Sequence, residues 1–160
     1  MAEKSQNSRT TTRKITNRKA RHNFHILEVV ECGVELDGTE VKSLRAGNAT
    51  IDDAHARVIN GEVFLVGANI AHYPQAAGVL QHDPTRNRKL LLRRRQIGEL
   101  EAHVKQKGKT LVLLSIYFKR GWAKCELALT VGKKQYDKRQ AIRKREQDRD
   151  VARELRRRKR

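Results

Sequence analysis

Asn60-Gly61 sits between two runs of alternating apolar side chains, and that arrangement admits few folds. Ala54, Ala56 and Val58 alternate before it, and Val63 and Leu65 alternate after it. Asn-Gly accepts the positive φ angles of a type I′ turn, whose twist matches two antiparallel strands, so the segment predicts a hairpin. A second hairpin is expected further on. Residues 111–118 are rich in strand-forming side chains, and Lys119-Arg120-Gly121 can turn. Cys125, Leu127, Leu129 and Val131 then alternate with Lys124, Glu126, Ala128 and Thr130. An earlier strand is marked by Val30, Cys32, Val34 and Leu36 on one face. Leu27 and Val29 have the opposite parity, which calls for a bulge or a sharp bend between the two halves.

Two helices are expected among these strands. Val41 and Leu44 are three apart and Gly47 can take a left-handed cap, so residues 39–46 predict a short helix with Lys42 and Arg45 on its other face. Ile97, Leu100 and Val104 recur at helical spacing. Acids come early and lysines late, complementing the helix dipole, so a helix is expected from about 89 or 96 to 107. Leu90–Leu92 would anchor it. A strand, a short helix, a hairpin, a helix and a hairpin suit a mainly β fold. We expect a small antiparallel OB-like barrel of about six strands with flanking short helices. A ferredoxin-like sheet is the alternative.

Charge confines this barrel to the middle of the chain. The 160 residues carry a formal net charge of +18. Residues 1–23 hold seven Lys and Arg against one acid, residues 24–132 hold fifteen against twelve, and residues 133–160 hold fourteen against five. The expected organisation is a disordered basic arm over 1–14, a barrel over 15–132 and a basic tail over 133–160. The tail lacks a continuous apolar stripe yet is rich in helix formers, so it is expected to be disordered when free and helical when bound. So uneven a charge needs a polyanion, and nucleic acid is the first candidate.

Catalytic chemistry finds no support in the sequence. His22, His25, His55, His72, His82 and His103 show no metal-ligand spacing, and Cys32 and Cys125 form no C-x-x-C motif. Asp52-Asp53 reads as a turn, since adjacent carboxylates on a strand point to opposite faces. There is no phosphate-binding loop and no G-x-S-x-G element. Neither a cofactor nor a metal is expected, and no secretory or membrane-spanning segment is read from the sequence. Three Phe, three Tyr and one Trp are too few for stacking on many splayed bases. A basic surface docked on a folded RNA fits better.

Four ordered blocks add a resemblance. Asn17-Arg18-Lys19-Ala20-Arg21-His22, Gly38-Thr39-Glu40-Val41-Lys42-Ser43-Leu44-Arg45, Arg88-Lys89-Leu90-Leu91-Leu92 and Gly132-Lys133-Lys134-Gln135-Tyr136-Asp137-Lys138-Arg139 resemble the signature of the small protein B family, the SsrA-binding proteins. The likeness runs from about residue 15 to 140. It implies an OB-like barrel that binds the tRNA-like domain of transfer-messenger RNA near its elbow and D-loop. It also implies trans-translation on stalled ribosomes, in the cytoplasm, with ribosome rescue and tagging of the nascent chain. The partners so implied are transfer-messenger RNA charged with alanine, elongation factor Tu, and the decoding centre and mRNA channel of the small ribosomal subunit. Neither a membrane nor a second copy of the chain is implied.

Carried over by position, the RNA-binding group of the body would be Asn17, Arg18, Lys19, Arg21, Glu31, Lys42, Arg45, Arg88, Lys89 and Leu91. Glu31 reads equally well as a strand carboxylate paired with a nearby base, and Leu91 as core. The ribosome-binding group of the tail would be Gly132, Lys133, Tyr136, Asp137, Lys138 and Arg139. Position 136 departs from the family form, which has His there. Tyr136 keeps a ring that can stack and loses the imidazole proton.

Overall fold

The computed structural model of the chain describes residues 14–76 and 81–158. The basic arm expected over 1–14 lies outside them except for Lys14. Along the described chain the elements are β1 (Ile15–Thr16), α1 (Arg18–Asn23), β2 (Phe24–Val34), α2 (Gly38–Arg45), β3 (Ala49–Thr50), β4 (His55–Ile59), β5 (Glu62–Val66), β6 (Asn69–Ile70), β7 (Arg88–Leu91), α3 (Arg94–Val104), β8 (Lys109–Lys119), β9 (Trp122–Gly132) and α4 (Gln135–Arg158).

Both expected hairpins form, the first for the expected reason. Asn60 and Gly61 lie at φ 52° and 73°, joining β4 to β5. Arg120 and Gly121 lie at 52° and 83°, joining β8 to β9 with Lys119 opposite Trp122. Six strands then pair antiparallel in the order β8, β4, β5, β7, β2, β9, and β9 pairs again with β8. That ring is a closed OB-like barrel, which leaves few unpaired strand edges. The ferredoxin-like alternative, an open sheet, is set aside by this closure. Val63, Leu65, Leu90, Leu111, Leu113 and Leu127 fill the interior.

Strand parity is switched by bulges. The register of β2 against β9 shifts between Ile26 and Glu28, and that of β8 against β9 shifts between Leu113 and Ser115. Beyond its bulge β2 sends Cys32 and Val34 into the barrel. Before it, Phe24 and Ile26 pack with Ala20, Val112, Leu114 and Ala128 in a second, smaller cluster. Ala20 belongs to α1, so this cluster holds α1 on the outer wall.

Of the two starts expected for the second helix, 89 and 96, the structure favours the later: the helix runs from Arg94 to Val104, short of the expected end at 107. Arg88–Leu91 is a strand because Leu90 is needed inside the barrel, opposite Val63 on one side and Val34 on the other. The Gln96 side chain accepts the Arg93 backbone N–H at 3.0 Å and starts the helix there. Ile97, Leu100 and Val104 pack on the core as their spacing predicts.

The tail, whose helix formers predict a helix in the bound state, forms one continuous helix, α4. Its residues are good helix formers and neither Gly nor Pro interrupts them. Asp137 accepts the Lys134 backbone N–H at 3.3 Å, satisfying a donor at the helix start. Tyr136, Ile142, Val151 and Leu155 stay exposed, so the helix has no packed face.

Candidate RNA-binding surface

The ten body residues named from sequence do not form one patch. Two of them are not available to an RNA. Arg88 is 0% exposed, against the expectation that it meets RNA. It points inward, with Leu65 opposite, because β7 must present alternate residues to the interior. Its Nε donates to Glu40 at 2.8 Å, Nη1 to the carbonyls of Ala68 and Arg86 at 2.8 and 2.9 Å, and Nη2 to the carbonyl of Pro84 at 2.9 Å. Burial pushes its guanidinium pKa down, and Glu40 opposes that shift.

Glu40 is the hub of this network. Arg86 donates to both its oxygens, at 3.0 and 2.6 Å, and the Asp37 backbone N–H adds a bond at 2.9 Å. Burial alone would raise the Glu40 pKa, but these donors outweigh it and the carboxyl lies below its ordinary range. The network fixes α2 at the end of the barrel. Neither Glu40 nor Arg86 was singled out from sequence, since the ion pairs that join Glu40 to Arg86 and Arg88 span more than forty residues.

Asn17 is the second correction. It is buried, and its amide is used internally. Its Oδ1 accepts the Ala20 N–H at 2.9 Å, capping α1. Its Nδ2 donates to the carbonyls of Ile51, Asp52 and Leu113 at 3.0, 3.0 and 3.1 Å. Asn17 therefore positions the α1 cations without facing outward itself. Among them, Lys19 pairs with Asp52 at 3.3 Å, while Arg18 and Arg21 project from the same short helix.

A second group surrounds an open groove of about 1030 Å³ between β2, the β4–β5 turn, β7 and α3. Glu31, Lys89 and Leu91 line it, together with Lys124, which sequence reading missed. Lys124 lies opposite Gly33 on β2, and Gly33 opposite Leu91 on β7, so one row of the barrel wall carries both. A methyl group on Gly33 would sit 3.2 Å from the Leu91 Cβ, so glycine lets Leu91 lie flat there. Leu91 is 53% exposed, which decides between its two readings in favour of the surface. Lys89 is held by Glu62 across the β5–β7 ladder.

Glu31 is a paired strand carboxylate on this wall. Tyr117 donates its hydroxyl to it, and Lys119 adds bonds at 3.0 and 3.2 Å. The Tyr117 bond first, then Lys119, lowers the Glu31 pKa. Burial and Glu31 push the Tyr117 pKa up, so the phenol stays a donor. An ionised carboxylate beside an open groove can still accept from a base amino group or a ribose hydroxyl.

The third group lies on α2. Lys42 Nζ stands 5.6 Å from the centre of the Tyr73 ring, and Arg45 lies 5.3 Å over Phe118 at the end of β8. Both cations remain exposed.

The tail residues meet the body at α1. Lys133 Nζ donates to the carbonyl of Arg21 at 2.9 Å, near the end of α1, and its backbone N–H donates to Asn23 at 2.9 Å. Asp137, besides capping α4, stands 3.5 Å from His25 on β2. Gly132 ends β9, Tyr136 is 74% exposed, and Lys138 and Arg139 follow on α4. Lys133 and Asp137 thus set how the tail leaves the barrel.

Among the described residues no cluster of three or more His, Cys, Asp or Glu could hold a metal ion. No described helix is long and apolar enough to cross a membrane.

Comparison with known proteins gives a consistent result. A family model described as "SmpB protein" matches residues 14–157. The SsrA-binding protein of Gloeobacter violaceus is 51% identical over 148 residues, covering 91% of this chain and 97% of the relative. That of Corynebacterium urealyticum is 53% identical over 140 residues, covering 88% and 78%. A solved structure described as "tmRNA-SmpB: a journey to the center of the bacterial ribosome" is 45% identical, with a TM-score of 0.65, covering 81% of this chain and 94% of that one.

Proposed function

The chain belongs to the SmpB protein family, and on that premise we propose that it is an RNA-binding protein of trans-translation whose partners are transfer-messenger RNA and the ribosome. In this reading the barrel wall binds the tRNA-like domain of the RNA. The single observation that carries it is the convergence of Glu31, Leu91, Lys89 and Lys124 on one open groove. The groove offers cations for phosphates, a carboxylate for a base amino or ribose hydroxyl, and an apolar side chain for a base or sugar face. Such a mixed surface reads the shape of a folded RNA, in which phosphate contacts supply affinity and the other contacts supply register.

The remaining groups support this role from the flanks. Arg18, Lys19 and Arg21 on α1, and Lys42 and Arg45 on α2, supply positive charge on either side of the barrel wall. Asn17 and Arg88 act through position, the first by capping α1 and the second by fixing α2.

The tail takes the second partner. In our reading α4, carrying Tyr136, Lys138 and Arg139 near its start, enters the decoding centre and the empty mRNA channel of a stalled ribosome. The complex works in the cytoplasm with alanine-charged RNA and elongation factor Tu. No step of it requires this chain to act as an enzyme. The barrel over 15–132 and the tail over 133–160 then divide the work between two RNAs.

Selectivity tests the proposal. Binding of the full chain to transfer-messenger RNA and to an elongator tRNA is compared as salt is raised. A preference for transfer-messenger RNA that persists at raised salt is expected. Equal affinities that fall together with salt would leave only a basic protein sharing the family's electrostatics.

A further inference from the structure

The β8–β9 hairpin ends in a feature that the groove does not explain. Trp122 is 75% exposed, although it is the only tryptophan in the chain. Its place is set by the β8–β9 ladder, whose last pair is Lys119 opposite Trp122. Phe118 and Ala123 beside it pack against the core. The indole is presented to solvent at the end of the ladder.

Its neighbours are cationic. In the strand register Lys119 stands opposite Trp122, and Lys124 lies one step along the same wall, opposite Tyr117. Lys119 is bonded to Glu31, which ties this tip to the groove wall.

The turn itself supplies a second, independent observation. Arg120 has φ 52°, a left-handed angle that favours glycine and asparagine. The β4–β5 hairpin places Asn60 at the same angle in the corresponding position. An arginine there is a poorer turn residue than asparagine. Backbone strain held at an exposed position next to an exposed aromatic points to a function for the side chain.

We propose that this hairpin tip is a one-base stacking platform. Trp122 takes an unpaired nucleobase of the transfer-messenger RNA, and Arg120 takes the adjoining phosphate. Indole faces stack on any base, and a neighbouring cation fixes the backbone beside it. Continuity with Glu31 through Lys119 assigns the base to the RNA held by the barrel wall. The inference rests on the function proposed above and adds a contact to it.

The tryptophan is its own probe. Its fluorescence in the full chain should be quenched on titration with transfer-messenger RNA, saturating at one RNA per chain, with binding followed in parallel by gel shift. Trp122→Ala should weaken binding between about fivefold and a hundredfold, Trp122→Phe much less, and neither should shift the melting temperature. Arg120→Asn should raise thermal stability while lowering affinity several-fold and reducing the salt slope by about one. Bound RNA with unquenched fluorescence and unchanged affinity in Trp122→Ala would overturn the platform alone. Quenching by ribosomes but not by transfer-messenger RNA would also overturn it. Absence of RNA binding in the gel shift would remove the proposed function, and the platform with it.

Discussion

Arg88 and Glu40 meet at 2.8 Å with neither side chain exposed to solvent. The pair joins a barrel strand to α2, whose Lys42 and Arg45 face outward. An ion pair so enclosed stabilises only while both partners and their hydrogen bonds are present. Glu40→Ala leaves the Arg88 guanidinium as an uncompensated buried charge, so it is expected to cost roughly 3–5 kcal/mol, while Arg88→Ala leaves Glu40 still paired with Arg86 and should cost less. Urea unfolding followed by circular dichroism measures it. A cost below about 1 kcal/mol would contradict the role given to this pair.

The same carboxylate sets an acid limit. Its pKa in the folded chain lies below its ordinary value of 4.5, because the bonds from Arg86, Asp37 and Arg88 outweigh burial. A carboxyl with a depressed folded value contributes stability that is complete above the unfolded value. That contribution is lost as pH falls through the folded value. Stability should therefore hold above about pH 5 and decline below pH 4.5. Glu40→Gln should be less stable at neutral pH and lose less on acidification. Parallel acid limbs in the two proteins would assign the decline to other carboxyls.

Asn17→Ala should remove the α1 cap and take one donor from each of three carbonyls, of which Ile51 keeps the Ala54 N–H. The expected cost is about 2–4 kcal/mol, measured by thermal or denaturant unfolding. RNA affinity should fall only as far as α1 loses its order, so binding and helix protection in hydrogen exchange should decline together. Lost binding with α1 fully protected would place Asn17 at the RNA after all.

How far the sequence carried depends on the range of the interaction. Asn60-Gly61 is a local signal and its turn forms where that chemistry requires, while Gly121 marks the second turn although Arg120 beside it is a poor residue for a left-handed angle. The opposite parity of Leu27 and Val29 calls for a bulge between them and Val30, but the bulge falls at Leu27 and both side chains stay exposed. The inward turn of Arg88 was hidden, because an arginine among basic neighbours reads as surface until Glu40 arrives from another part of the chain. Leu90 likewise reads as helix or strand until its two partner strands are known. In the site, Lys124 was missed because only the β2–β9 register sets it beside Glu31 and Leu91. Asn17 and Arg88 stand in the motif blocks as polar residues among basic neighbours, and nothing local marks either as buried; both read as contacting residues until the fold is known.

Reversing the charges of Arg18, Lys19 and Arg21 together should weaken binding to transfer-messenger RNA and flatten its dependence on salt. Each lost phosphate contact removes about one released counterion from the slope. Filter binding at several salt concentrations reads both effects. An unchanged slope would take α1 out of the interface.

The division of labour between barrel and tail is tested most directly by removing residues 135–160. This keeps the Lys133 bonds to Arg21 and Asn23 that hold the end of the barrel. Affinity for transfer-messenger RNA and tagging of nascent chains on stalled ribosomes are then measured on the same preparation. The account predicts affinity within about threefold of the full chain, less than 1 kcal/mol, with tagging abolished. Collapse of RNA affinity, or tagging that persists without α4, would contradict it.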